Sequence, residues 1–153
     1  MSGIGIGDRV AIALAGLSIA VAAGPPPATA ANQRPSVRLE WTAAGRILTN
    51  GSGFTLYLFS RDRRNHDSCR AIPGCARVWP ALTTTRRPVG GAGVRSALLG
   101  TIPLHGRVRQ ITYAGHPVYT YSRDFGPRAT LYVGAFQFGG TWDALTAAGR
   151  PTG

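Results

Sequence analysis

Two stretches of this chain spell nearly the same pattern. Gly53-Phe54-Thr55-Leu56-Tyr57-Leu58-Phe59-Ser60-Arg61-Asp62 is followed, 62 positions later and without a gap, by Gly115-His116-Pro117-Val118-Tyr119-Thr120-Tyr121-Ser122-Arg123-Asp124. Gly, Tyr, Ser, Arg and Asp coincide, and both copies read Tyr-x-aromatic-x-x-Asp, so the pattern keeps side-chain directions as well as average hydropathy. Such self-similarity predicts a tandem repeat. Either copy alone is too small for comfortable stability, so the halves are expected to share one core.

Elsewhere short apolar and aromatic runs alternate with Gly, Pro, Asn and Ser, and no stretch holds a helical period for about a dozen residues, which predicts an all-β domain. In the second copy, residues 107–113 alternate as a strand, Ala114-Gly115 makes a two-residue turn and residues 118–122 return. That hairpin sets Tyr113 across from His116 and Ile111 across from Val118. Pro117 has no N–H, so it must face away from its partner or lie on an edge. In the first copy, residues 45–49 run up, 50–53 turn and 54–59 return, with a one-residue adjustment upstream. Asn50-Gly51-Ser52 also matches a glycosylation acceptor, but reads as turn chemistry. The expected organisation is one compact domain with repeats at 45–82 and 105–149, an irregular connection at 83–104 with a short turn at 96–99, and a lead-in at 31–44 that is polar over 32–36. Thr42-Ala43-Ala44-Gly45-Arg46 recurs as Thr146-Ala147-Ala148-Gly149-Arg150, out of register with the 62-residue spacing, either by chance or as a closing strand.

Residues 1–30 predict an export signal helix. Arg9 and the chain amine precede an apolar run over 10–23, Gly24-Pro25-Pro26-Pro27 breaks it, and Ala28 and Ala30 suit a signal peptidase cutting after Ala30. The run is short for a bilayer core of about 30 Å. A retained anchor followed by a Pro-rich linker is the alternative; either places the remainder outside the cytoplasm, with no stable membrane span once the signal is cleaved. All 17 basic residues are Arg and only six are acidic, giving a net charge of +11. Outside the cytoplasm the polyanions within reach are envelope polymers and anionic lipid surfaces. Nucleic acid is not expected, since export removes the chain from it and no nucleic-acid module is present. Lys avoidance in a GC-rich genome, with charge serving solubility, is the competing explanation of the Arg excess.

The candidate residues follow from the pattern. Tyr57 and Phe59 point one way and Leu56 and Leu58 the other, as Tyr119 and Tyr121 do opposite Val118, so both faces of these strands are apolar and expect cover. Asp62 and Asp124 fall where the strand ends, where a carboxylate fixes a turn by accepting backbone N–H bonds; the functional alternative has the tyrosines and carboxylates lining a site. Cys69 and Cys75 flank Pro73-Gly74 in a turn-rich segment of an exported chain, which predicts a disulfide. His66, Cys69 and Cys75, with Asp67 as a fourth candidate, could instead hold a metal, or the cysteines could exchange electrons, though neither a common zinc spacing nor a Cys-x-x-Cys is present. His105 and His116 lack a sequence-local acidic partner, and no hydrolase or phosphate-loop motif occurs. No enzymatic activity and no cofactor are expected.

The two Tyr-x-aromatic-x-x-Asp copies, Cys69 to Cys75 followed by Trp79-Pro80, and Gln110-Ile111-Thr112-Tyr113-Ala114-Gly115-His116-Pro117-Val118-Tyr119 resemble the bacterial secreted-repeat proteins, also described as predicted lipoproteins with a Yx(FWY)xxD motif. The resemblance covers residues 45–149. It implies an exported, envelope-associated protein of unassigned molecular function. Many members carry a lipid-modified Cys directly after the signal; here both cysteines lie far downstream, so no lipid anchor is expected. Trp79-Pro80-Ala81 replaces the usual Trp-Pro-Pro, and His105-Gly106 stands where Asp-Gly is common.

Overall fold

A computed structural model describes residues 36–153. The expected signal helix, its cleavage after Ala30 and the polar lead-in before Ser36 lie outside the described residues. The chain is mainly β, as its punctuation predicts. Strand β1 (Val37–Thr42) pairs antiparallel with β2 (Gly45–Asn50), which turns back toward β3 (Tyr57–Phe59). Asn50 closes that turn: its Oδ1 accepts the N–H groups of Ser52 and Phe54 at 2.9 and 3.0 Å. A single turn of 3-10 helix (Cys69–Ala71) and one turn of α-helix, α1 (Cys75–Val78), lead to β4 (Thr83–Thr84). Another 3-10 turn (Ser96–Leu98), in the expected place, opens the second half: β5 (Leu99–His105), β6 (Val108–Tyr113), β7 (His116–Pro117), β8 (Ala135–Gln137) and β9 (Gly140–Ala144).

The second hairpin follows its sequence closely. Ala114 and Gly115 take φ of 52° and 85°, the pair of positive values that a type I′ turn requires. Tyr113 pairs with His116, and the Val118 N–H donates to the Ile111 carbonyl at 3.1 Å. Pro117 sits opposite Thr112 between those two bonded pairs, where the N–H of a strand residue points away from its partner. Its missing donor therefore costs no bond to β6. The first turn carries one residue more than the second, Gly51-Ser52-Gly53 against Ala114-Gly115, which accounts for the adjustment needed upstream.

Two stretches hold more order than expected. The lead-in at 31–44 contains β1, and the connection at 83–104 contains β4 and β5. β5 is disguised by Gly100 and Pro103. A Cβ on Gly100 would stand 2.8 Å from Thr112 Oγ1, so the close approach of β6 demands glycine. Pro103 is tolerated beside an irregularity in the β5–β6 register between Pro103 and His105. The Thr42 and Thr146 segments are both turns locked by the threonine hydroxyl, Thr42 Oγ1 donating to the Gly45 carbonyl and Thr146 Oγ1 to that of Arg150. Their likeness is local turn chemistry.

Alternation sorts the core into two clusters. Leu56 and Leu58 join Leu48, Ile111, Val118 and Leu145 on one side. Tyr57 and Phe59 join Tyr119, Tyr121, Trp79, Trp142 and the two cysteines on the other. Both clusters draw on both halves of the chain.

Candidate functional site

The two Tyr-x-aromatic-x-x-Asp segments meet each other. The Tyr57 N–H donates to the Tyr119 carbonyl at 2.9 Å, and the Tyr119 N–H returns the bond to Tyr57 at 3.0 Å. Residues at matching places in the two segments thus pair with each other. The tyrosine hydroxyls cross over as well. Tyr119 Oη donates to Asp62 Oδ2 at 2.8 Å, and Tyr57 Oη lies 3.3 and 3.4 Å from the Asp124 oxygens. Each tyrosine therefore clasps the carboxylate of the other segment.

The aromatic cluster repeats this reciprocity. Trp79 and Trp142 stack at 4.0 Å with rings 2° from parallel. Tyr57 meets Trp79 edge-on at 5.1 Å, and Tyr119 meets Trp142 edge-on at 5.2 Å. Phe59 stacks on Trp142, and Tyr121 leans on Trp79. Gln137 serves both indoles: its side-chain oxygen accepts Trp79 Nε1–H at 2.9 Å and its backbone carbonyl accepts Trp142 Nε1–H at 3.2 Å. Sequence reasoning missed Trp142 and Gln137. Trp142 had a signal: Trp79-Pro80-Ala81-Leu82-Thr83 returns as Trp142-Asp143-Ala144-Leu145-Thr146, 63 positions on. Gln137 had none, because only the packing brings it to the indoles.

All of these rings are shut away from solvent; Tyr57, Trp79 and Trp142 are 0 % exposed. Burial accordingly dominates the electrostatics. It pushes both tyrosine hydroxyls far above their usual range, reinforced by the facing carboxylates. It also lifts the carboxyls of Asp62 and Asp124 to about 6, although the hydrogen bonds from Tyr119 and the Ser68 N–H pull Asp62 down and that from Tyr57 pulls Asp124 down. The Ser68 N–H donates to Asp62 Oδ1 at 2.8 Å, the turn-fixing role expected of that residue. Among the described residues, Asp124 is bound only by the longer contact to Tyr57.

Cys69 and Cys75 form a disulfide, with Sγ atoms 2.00 Å apart and Cα atoms 5.4 Å apart. Joined and buried, the sulfurs are not presented as the thiolates that the metal alternative with His66 requires. His66 is exposed on a surface cavity of about 590 Å³ with Asn65, Asp67 and Arg70. Among the described residues, no three His, Cys, Asp or Glu side chains are placed to hold a metal ion.

Charge is sorted more sharply than composition implies. Every arginine from Arg38 onward is exposed, whereas Glu40, Asp62, Asp67, Asp124 and Asp143 are all half-buried or buried. Four arginines brace the fold while leaving their charge outward: Arg61 donates to the Phe138 carbonyl, Arg64 to Ala114, Arg70 to Pro103 and Leu104, and Arg109 to Thr101. No helix among the described residues is long and apolar enough to cross a membrane. No family model, curated protein or solved structure matches the chain.

Proposed function

We propose that this chain is an exported, envelope-associated β domain that binds an anionic envelope component through its arginines and performs no chemistry of its own. One observation carries the reading: the described arginines are all exposed, whereas the described Asp and Glu side chains are half-buried or buried, so positive charge dominates the surface. A surface so sorted attracts polyanions over the range of a Debye length, and guanidinium groups grip phosphate or carboxylate oxygens on contact. The Tyr-x-aromatic-x-x-Asp residues belong to the scaffold in this reading, because their rings are buried and their polar atoms are satisfied by each other. The resemblance to the secreted-repeat proteins points the same way, toward an exported envelope protein.

The test is retention of the purified protein on isolated cell envelope across a salt series. Binding that falls steeply between low and moderate salt is expected; binding indifferent to salt overturns the reading. Elemental analysis and an absorption spectrum of protein taken from its native compartment check the rival, a redox or metal-linked protein built on the Cys69–Cys75 loop, which predicts a bound metal or chromophore.

A further inference from the structure

We infer that a groove beside β5 is a binding site for a phosphoryl group carried on a small uncharged body. Resting on the anionic-ligand reading above, the inference gives that reading a place and a ligand class. After β4 the chain leaves the sheet, crosses back and re-enters at β5, and the space beneath this crossing is a cavity of about 410 Å³. Arg86, Arg87 and Arg109 line it together with Ser96, Thr101 and Leu99, and among the described residues no carboxylate does. Three arginines thus line one concavity.

The arrangement is built. Leu99 pairs with Tyr113 and Thr101 with Ile111, so Leu99, Thr101 and Arg109 occupy one face of the β5–β6 ladder, at the outer margin of the first core cluster. Arg109 is fixed there: Nε donates to Thr101 Oγ1 at 2.6 Å and a terminal nitrogen to the Thr101 carbonyl at 3.2 Å. A guanidinium already held loses less freedom on binding a ligand. The Arg86-Arg87 rim is set by Thr84, whose Oγ1 accepts the Arg86 N–H at 3.1 Å and donates to the Arg86 carbonyl at 2.9 Å. The returning arm is pinned by Tyr113, whose hydroxyl accepts the Arg95 N–H at 3.1 Å and donates to the Ala147 carbonyl at 2.8 Å.

Chemistry selects the ligand. A single carboxylate matches one guanidinium fork, whereas a phosphoryl group offers oxygens to several forks and to the Ser96 and Thr101 hydroxyls. Leu99 gives the remainder of the ligand an apolar contact, so the body attached to the phosphoryl group is expected to be small and uncharged. The larger cavity beside His66 is poorer for an anion because Asp67 lines it.

The experiment measures binding of a soluble glycerol phosphate oligomer, and separately of phosphatidylglycerol/phosphatidylcholine vesicles, to three proteins. These are the wild type, Arg86→Gln with Arg87→Gln, and Arg77→Gln with Arg123→Gln as a charge-matched change outside the groove. All four sites are exposed, and circular dichroism checks that each variant is folded. The expected result is oligomer binding that weakens about tenfold or more in the groove variant and by less than about twofold in the control. Equal weakening in both variants overturns the site while leaving a diffuse arginine surface intact. Wild-type binding to vesicles alone overturns the assignment to a phosphoryl group on a small soluble body and turns the surface reading toward lipid. Wild type that binds neither probe overturns the groove, and envelope retention that is also indifferent to salt removes the surface reading with it.

Discussion

Asp62 and Asp124 occupy equal places in the pattern but hold unequal bonds. Asp62 accepts two short bonds at 2.8 Å, from Tyr119 and the Ser68 N–H, whereas among the described residues Asp124 accepts only Tyr57, at 3.3 Å or more. Asp62→Ala should therefore cost about 1–3 kcal/mol by stranding two donors, and Asp124→Ala about half as much, as urea melts will measure. Their titration has a definite sign. Both carboxyls hold a proton more tightly in the folded chain, at about 6, than at their ordinary 3.8, so the folded state gains from acid. That gain is full below 3.8 and fades as pH rises through about 6. The two carboxyls should thus raise the melting temperature between pH 7 and pH 4.5, against the opposite pull of His116, whose buried imidazole resists protonation; the double variant Asp62→Asn with Asp124→Asn should remove that rise, and a pH profile identical in variant and wild type contradicts the buried clasp. Gln110 offers a change in the opposite direction. It is 0 % exposed, its Oε1 has no hydrogen-bond partner among the described residues, and the Val118 carbonyl that its Nε2 reaches already accepts the Leu82 N–H at 3.0 Å. The matching position in the first half is Ile47. Gln110→Ile should be neutral or stabilising by up to about 1 kcal/mol, because an orphaned acceptor leaves the core; a loss larger than that shows the amide to be better satisfied than its geometry indicates.

At the scale of elements, what the sequence made legible was whatever local chemistry decides. Ala114-Gly115 and Asn50-Gly51-Ser52 declared their turns because only certain residues tolerate positive φ or close a turn with a side chain. The apolar character of both Leu56-x-Leu58 and Tyr57-x-Phe59 declared a strand covered on two faces. β5 was hidden because its Gly100 and Pro103, breakers by composition, answer to Thr112 and to a register irregularity on the neighbouring strand. β1 was readable in the alternation of Val37, Leu39 and Trp41, yet Trp41 runs past the core and is 73 % exposed, which blurs the pattern. The Tyr–Asp clasp could not be read at all: the motif placed each Asp near its own turn, and only tertiary pairing of Tyr57 with Tyr119 hands each carboxylate to the opposite tyrosine. The disulfide segment is the element whose sequence and structure agree most simply. Intact mass under alkylating, non-reducing conditions should show no free thiol. Cys69→Ser with Cys75→Ser should lower stability by about 2 kcal/mol, the loop-entropy value for so short a closure, and two alkylated cysteines in the wild type would sink the pairing.

At the scale of the molecule, the reciprocity goes beyond side chains: each half completes its sheet with the tail of the other. The Leu48 N–H donates to the Leu145 carbonyl, and the Ile111 N–H to that of Leu82. Leu145 then bonds Leu56, as Leu82 bonds Val118. β9 lies on β3, and β4 on β6. A chain cut in the exposed stretch at Ala92-Gly93 leaves fragment 36–92 with no strand partner among the described residues for β3 or β4, and fragment 93–153 with none for the β3 edge of β9 or the β4 side of β6. Both core clusters are split by the same cut. What remains in each piece is two- and three-stranded sheet with its apolar face uncovered, and such pieces are marginal at best in water. Each fragment alone should therefore give the circular dichroism of an unfolded chain. Mixed in equal amounts, they should recover β structure, because the contacts between them are those that build the sheet. The stacked indoles supply a readout specific to the native arrangement: Trp79 belongs to one fragment and Trp142 to the other, 4.0 Å apart and nearly parallel when assembled. Their exciton coupling should be absent from either fragment, appear on mixing and be lost in Trp142→Phe. A fragment that folds alone would show that its half carries a sufficient core of its own, and recovery of β signal without the coupling would show that the halves associate by some pairing other than the Tyr57–Tyr119 bridge.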